Sequence, residues 1–210
     1  MVLFKVVFNK STMFLFSMML LFFIIFTIHP FLAVNHPIKG DILVVEGWLP
    51  EYSLKEAIKE FYRGDYQFLV TTGGHYFNST NFPDCSSYAE RAAILLQDNG
   101  FDEKLIIVVP APFKEKHNTF NSAIALRKWL MNSNKNVTSM NLFTIGVHAR
   151  KSYYLFRKAL NSQINVGVIS SKPFDYNPNY WFFSIEGFKW IFQDGIGYIY
   201  ALIYPFNINE

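Results

Sequence analysis

The segment DILVVEGWLP, residues 41–50, indicates the fold of this chain. Residues 41–45 form a short apolar run bounded by Gly40 and Gly47, which is typical of a buried strand. Residues 53–63 follow with helical spacing, and there Ser53 is a candidate N-cap with Glu56 in the matching capping-box position. A buried strand followed by an amphipathic helix predicts the start of a βαβ unit.

The same alternation continues along the chain. Four further strands are predicted at residues 67–71, 105–109, 141–145 and 166–169, and three further helices at residues 88–97, 119–130 and 149–160. Short apolar strands joined by helices of about ten to fifteen residues imply crossover connections and a parallel sheet. We therefore predict an α/β fold that is Rossmann-like and three-layered, with a parallel sheet of about five strands flanked by helices.

The C-terminal part is apolar and less regular. Residues 171–182 are predicted to form an ordered, aromatic-rich surface loop, and residues 183–206 are apolar enough to suggest a transmembrane helix. However, Glu186, Lys189, Gln193 and Asp194 recur every three or four residues. This spacing favours an amphipathic helix packed on the sheet.

The N-terminal region contains a candidate membrane anchor. Residues 13–28 carry no charge, and the run continues to about residue 34, which is long enough to cross a hydrocarbon layer of ~30 Å. Because Lys5 and Lys10 precede the run, a cleaved signal peptide is the alternative, but no small-residue cleavage pair follows. The positive-inside rule predicts residues 1–12 in the cytoplasm, residues 13–34 in the cytoplasmic membrane, and one α/β domain, residues 40–210, outside it.

Composition and missing motifs exclude several classes of function. The net charge of +3, without a dense Lys/Arg stripe, argues against a nucleic-acid partner. No G-x-G-x-x-G, Walker lysine loop or G-x-S-x-G elbow is present. The spacing of His75, His117 and His148 is not that of a compact ligand motif, so we predict no metal site.

Polar and glycine residues follow four of the predicted strands, and the carboxyl ends of parallel strands share the edge where ligands bind. These residues are Glu46 after the first strand, Gly73 and Gly74 after the second, Asn118 and Thr119 at the helix start after the third, and His148 and Arg150 after the fourth. The sequence therefore predicts a polar ligand site at this edge.

Each candidate has a functional and a structural interpretation. His148, beside Arg150 and Lys151, suits anion binding or proton transfer. Gly73 and Gly74 would let backbone N–H groups approach a phosphate or carboxylate, but would also suit a tight turn. Asn118 and Thr119 would serve equally well as a helix cap. Glu46 could be an exposed carboxylate in a turn. Glu90, at the start of a helix, fits a surface acid favoured by the helix dipole.

Taken in order, these pieces resemble the ElyC/SanA/YdcF family of bacterial envelope-associated proteins. The resemblance rests on DILVVEGW (residues 41–48), LVTTGG (69–74), SYAERA (87–92), HNTFNSA (117–123) and TIGVHARKS (144–152). It covers about residues 40–170, and TTGG stands where SGG is usual. It implies a Rossmann-like fold and adds Glu90 to the polar cleft. It also implies a role in the cell envelope, in peptidoglycan or lipid-carrier metabolism, with an S-adenosylmethionine-like ligand in one branch.

Three functions follow as hypotheses. The first is a membrane-anchored envelope protein that binds an anionic, phosphorylated or lipid-linked precursor. If it is an enzyme, Glu90 or Glu46 would be the general base, His148 an acid or base, and Arg150 with nearby amides the anion clamp. The second is a non-catalytic binding or scaffold protein of the envelope, whose protein partners the sequence does not identify. The third is a cytosol-facing enzyme that uses a nucleotide or S-adenosylmethionine.

Overall fold

The computed structural model describes residues 9–76 and 85–208. Most of the predicted cytoplasmic segment, residues 1–12, lies outside the described residues, as does Lys5. The described chain contains a parallel sheet of β1 (Ile42–Glu46), β2 (Phe68–Gly73), β3 (Ile106–Pro110), β4 (Ser139–Ile145) and β5 (Asn165–Ser171). The order in the sheet is β3-β2-β1-β4-β5, which confirms the predicted five-stranded α/β fold.

Six helices accompany the sheet within the described residues: α1 (Lys10–Leu32), α2 (Glu51–Arg63), α3 (Tyr88–Asp98), α4 (Asn118–Asn132), α5 (Ala149–Leu160) and α6 (Ile185–Ile203). The β1 strand shows why the layers form. Its alternate residues point to opposite faces, so Val44 packs with the α4–α5 layer and Val45 with the α2–α3 layer. Because both faces are covered, all of β1 is buried, and its sequence is continuously apolar up to Glu46.

The strand order fixes where a ligand site can form. From β1 the chain moves outward through β2 and β3, and then returns to the other side of β1 with β4. The loops after β1 and β4 therefore leave the sheet in opposite directions, which opens a crevice at the carboxyl ends of these strands. Glu46 ends β1, and His148 closes the short 3-10 segment that follows β4.

The predicted capping box at Ser53 and Glu56 is wrong. Helix α2 begins at Glu51, its N-cap is Pro50, and no side chain caps it. Pro50 fixes its own φ near the helical value and prepares the helix start before Ser53. Ser53 is fully buried, and its hydroxyl lies 2.9 Å from that of Ser171.

Helix α1 is the only helix among the described residues that is long and apolar enough to cross a membrane. Residues 10–24 are exposed, whereas the last two turns pack on the α/β domain. His29 is buried 3.2 Å from the Tyr176 hydroxyl, and the Trp181 indole N–H donates to the Ile25 carbonyl at 3.0 Å. Leu32 is buried in the same apolar cluster, so the end of α1 is part of the domain.

The C-terminal helix forms, but it does not pack mainly on the sheet. Helix α6 lies against α5, against the 3-10 segment Gly146–His148, and against α1. The aromatic loop before it contains a further 3-10 segment, Pro178–Phe183, whose Trp181 is buried beneath α6. The α5 helix thus separates most of α6 from the strands.

Candidate functional site

A cleft of about 200 Å³ lies at the carboxyl ends of β1 and β2 and the start of α4. It is lined by Glu46, Trp48, Thr72, Gly73, Gly74, His75, Tyr88, Asn118, Thr119 and Ser122. Five of the predicted site residues, Glu46, Gly73, Gly74, Asn118 and Thr119, therefore come together here. The structure brings them together because parallel strands end at one edge of the sheet.

Glu46 lies at the inner end of this cleft and is 3% exposed. The Thr144 hydroxyl donates to its Oε2 atom, and the Ser152 hydroxyl lies 3.0 Å from its Oε1 atom. Ser152 is in the first turns of α5, where the helix dipole also favours a carboxyl group. These contacts supply the partners that a buried polar side chain requires.

His148 contacts two residues that line the cleft. Its ring lies edge-on to Trp48, with centroids 4.8 Å apart, and its Nε2 atom is 3.8 Å from Glu46 Oε1. Its other ring nitrogen, Nδ1, is 2.8 Å from Asp194 Oδ1. Within the described part of the chain, His148 Nε2 is buried without a hydrogen-bond partner.

Asp194 is the buried anchor of this cluster, at 1% exposure. Its Oδ1 atom also accepts a hydrogen bond from Lys151 Nζ at 2.8 Å. Burial raises the pKa of the Asp194 carboxyl, but hydrogen bonding to His148 and the charges of His148 and Lys151 outweigh it and hold the pKa below its ordinary value. Asp194 is therefore a carboxylate at neutral pH.

This arrangement defines which atom of His148 is available for chemistry. A carboxylate can only accept hydrogen bonds, so Nδ1 of His148 must carry the proton shared with Asp194. Nε2 is then the atom that can accept or donate a further proton, and it points toward Glu46. An imidazole oriented by a carboxylate in this way suits general acid–base catalysis or binding of an anion.

Asp194 was not predicted as a site residue. The sequence grouped it with Glu186, Lys189 and Gln193, which are exposed. The same helical spacing in another phase identifies it as buried, because Gly187, Ile191, Asp194 and Ala201 form the buried face of α6. A single acid on an otherwise apolar or small-residue face indicates a buried partner.

The start of α4 forms the other wall of the cleft. The first turn of α4 has no acidic residue, and its N-cap His117 makes no side-chain capping hydrogen bond. The predicted capping role of Asn118 and Thr119 is therefore not observed. Uncapped N–H groups at a helix start favour an anion.

Glu90 is placed outside the cleft, in a capping box with Ser87. Its carboxylate accepts hydrogen bonds from the backbone N–H groups of Ser86 at 2.7 Å and Ser87 at 3.1 Å. Burial raises the pKa of Glu90, but these bonds and that of the Ser86 hydroxyl outweigh it and hold the pKa below its ordinary value. Its contacts are those of a helix cap.

Replacing Glu90 with alanine is expected to lower the free energy of unfolding by about 1 kcal/mol, because one end of the capping box is lost. Ligand binding should not change. Denaturant unfolding and a binding assay check these expectations. Glu56→Ala, which replaces an exposed acid on α2, is the control, and its free energy of unfolding should stay within about 0.5 kcal/mol of the parent protein. Loss of binding at unchanged stability would give Glu90 a role in the site instead.

Arg150 is also placed away from the cleft. Its guanidinium donates to the Phe31 carbonyl and lies over the Phe31 ring, 4.0 Å from the ring centroid. Arg150 therefore holds the end of α1, and the anion clamp predicted for it is not formed in this arrangement.

A second cavity, of about 190 Å³, lies on the other side of Trp48. It is largely apolar and is lined by Trp48, Pro50, Tyr52, Ile145, Gly146, Val147, Pro173, Phe174, Asp175, Tyr176 and Trp190. Trp48 and Trp190 stack with ring centroids 6.3 Å apart, and the Trp190 indole donates to Asp175 at 2.6 Å. Trp48 thus separates a polar cleft from an apolar cavity.

The sequence matches no protein-family model, and a search of curated proteins gives no match either. Among residues 9–76 and 85–208, no group of three or more His, Cys, Asp or Glu side chains is arranged to hold a metal ion. His75 and His117 each contact aromatic side chains, Phe113 for the first and Tyr204 for the second.

Proposed function

We propose that this chain is a membrane-anchored protein of the ElyC/SanA/YdcF type whose cleft binds an anionic small molecule or the anionic head of a lipid-linked precursor. Its role would be in cell-envelope or peptidoglycan biogenesis. The observation that carries this proposal is the convergence of Glu46 and the Asp194-oriented His148 at the switch point of the sheet.

Retention of the anchor is supported by the packing of its last turns. Cleavage as a signal peptide would remove Leu32 and His29, which are buried against the domain. An uncleaved α1 would confine the domain to the membrane surface, where lipid-linked precursors lie. With the N-terminus in the cytoplasm, the domain would face the outside.

An anionic ligand is supported by one feature of the cleft and by a buried group that contacts the residues lining it. The uncapped first turn of α4 offers backbone N–H groups and the positive end of a helix dipole. The unpartnered Nε2 of His148 would supply a further donor when protonated. The apolar cavity beyond Trp48 would suit the hydrocarbon part of a lipid-linked ligand.

If the ligand is turned over, His148 and Glu46 are the groups to transfer protons. Asp194 would stabilise the imidazolium that forms when His148 Nε2 accepts a proton. Glu46 rather than Glu90 would act as the general base, because the Glu90 carboxylate caps α3. A non-catalytic binding protein is the second candidate, since both oxygens of Glu46 already accept hydrogen bonds from hydroxyl groups.

A thermal-shift screen of the full chain in detergent micelles tests the proposal, with farnesyl phosphate, inorganic phosphate, nucleotides and S-adenosylmethionine as probes. We expect farnesyl phosphate to raise the Tm, and we expect His148→Gln to abolish this shift. His36→Gln, at an exposed histidine, is the matched control and should keep it.

Three results would count against the proposal. If no probe stabilises the folded protein, the cleft has no such ligand. If His148→Gln keeps the full shift, the ligand binds elsewhere. A shift with a nucleotide or S-adenosylmethionine alone would favour the cytosol-facing enzyme of the third hypothesis.

A further inference from the structure

Helix α6 exposes a continuous apolar face. Six residues spaced by three or four positions are each at least 52% exposed, and we call them the α6 stripe: Ile185, Phe188, Phe192, Ile196, Ile199 and Ile203. They lie on one side of the helix, opposite the buried face that carries Asp194. Soluble domains rarely expose a connected apolar surface of this size.

The stripe adjoins the exposed surface of α1. Leu32 of α1 packs in one cluster with Ile191, which neighbours Phe192 along α6. Near the N-terminal end of α6, Phe26 contacts Phe182, with ring centroids 6.3 Å apart. The apolar surfaces of α1 and α6 therefore meet at Phe182 and the exposed Phe183, whose ring centroids lie 4.6 Å apart.

The two helices contact each other near the domain end of α1. Phe31 lies against Tyr198 of α6, with ring centroids 5.9 Å apart, and Leu32 packs in one cluster with Ile191. The middle of α6 therefore lies beside the point at which α1 enters the domain.

The exposed part of α1 is short for a complete span. Residues 10–24 extend about 22 Å, whereas the hydrocarbon layer is ~30 Å thick. The layer would therefore also reach the turns of α1 that contact the domain. There it would meet Phe183 and Ile185, which are 82% and 84% exposed.

A basic groove begins near the domain end of α1 and runs along α5. It has a volume of about 850 Å³, and its lining includes Lys39, Arg150, Arg157 and Lys158. Arg150 stacks on Phe31, so this end of the groove lies near the level at which α1 would leave the hydrocarbon. Cations at this level favour anionic phospholipid head groups.

We propose that the α6 stripe and the basic groove form a membrane-docking surface, and that α6 lies in the interface of the bilayer that α1 crosses. Lipid chains cover the stripe, and anionic head groups occupy the groove. The domain is then held against the bilayer by α1 and α6 together. This inference rests on α1 spanning a membrane, as in the proposed function.

Site-specific fluorescence of the full chain tests the docking surface. The protein is reconstituted into vesicles of phosphatidylcholine and phosphatidylglycerol, with Cys85 replaced by alanine and a single environment-sensitive label at Phe192→Cys. Ile196→Cys is a second reporter on the stripe. Leu20→Cys on α1 is the membrane control. Tyr62→Cys on α2 is the aqueous control, since Tyr62 is 62% exposed and Phe192 is 61% exposed.

We expect spin-labelled lipids to quench the Phe192 and Ile196 labels to an extent comparable with the Leu20 label, and to leave the Tyr62 label unquenched. If lipid quenches the Leu20 label while aqueous iodide quenches both stripe labels, the docking proposal is overturned and the membrane anchor stands. Stripe labels shielded from both quenchers would also overturn it, in favour of a second copy of the chain. An unquenched Leu20 label would contradict the proposal that α1 is a membrane anchor.

Discussion

Replacing Asp194 with alanine is expected to lower the free energy of unfolding by about 3 kcal/mol. The carboxylate is buried and accepts hydrogen bonds from both His148 and Lys151. Its removal leaves two polar groups without their partner, and the Lys151 side chain is only 18% exposed. Denaturant unfolding of the full chain in micelles measures the loss.

Gln193→Ala is the control for Asp194→Ala, because Gln193 lies on the exposed side of the same helix. It should stay within about 0.5 kcal/mol of the parent protein. A loss below about 1 kcal/mol for Asp194→Ala would mean that the cluster does not hold α6 on the domain.

The same variant should change the dependence of stability on pH. The pKa of Asp194 is lower in the folded protein than its ordinary value of 3.8, so its contribution is present above that value. It is lost as the pH falls through the lower, folded-state pKa. Between the parent and Asp194→Ala, the difference in unfolding free energy should therefore shrink on acidification below about pH 4, and a constant difference would contradict this assignment.

Gly47→Ala is expected to destabilise the fold by at least about 2 kcal/mol. A Cβ atom at Gly47 would lie 2.3 Å from the Tyr88 carbonyl oxygen and 2.5 Å from its carbonyl carbon. These are backbone atoms at the start of α3, so the helix itself would have to move. Denaturant unfolding measures the effect.

Gly74→Ala is the matched control for Gly47→Ala. The nearest atom to a Cβ at Gly74 is Asn118 Oδ1, at 3.9 Å, so there is no clash. Stability should stay within about 0.5 kcal/mol, while the added methyl group enters the cleft and weakens binding of farnesyl phosphate. Equal stability of the two variants would contradict the close packing of the turn after β1 on α3. Unchanged binding in Gly74→Ala would place the ligand elsewhere.

The five-stranded parallel sheet could be predicted from the sequence, because burial of a sheet on both faces requires strands that are apolar along their length. Glu46, Gly73 and Asn118 could be assigned to one cleft from the sequence alone, since the ends of parallel strands meet at one edge of the sheet. Arg150 could have been excluded from the cleft by its position in the sequence. It is two residues from His148, so the two side chains lie on opposite sides of a helix, whereas Ser152, four residues away, shares the side of His148.

The contact of Asp194 with His148 could not be predicted from the sequence in this way. It is separated from His148 by 46 residues, and the two meet only because α6 packs on α5 and on the segment after β4. No local spacing encodes that contact. Glu90 shows the opposite case, because its sequence position at the third residue of α3 already fits the capping box that forms.

The imidazole ¹⁵N spectrum of the full chain in micelles, recorded without and with farnesyl phosphate, tests most directly whether the ligand binds beside His148. His148→Gln assigns the His148 signals, and His36 serves as the internal control. We predict that the ligand shifts the Nε2 resonance of His148 and leaves Nδ1 bonded to Asp194, with His36 unchanged. Saturating ligand with no change at His148 would contradict a binding site at this edge of the sheet.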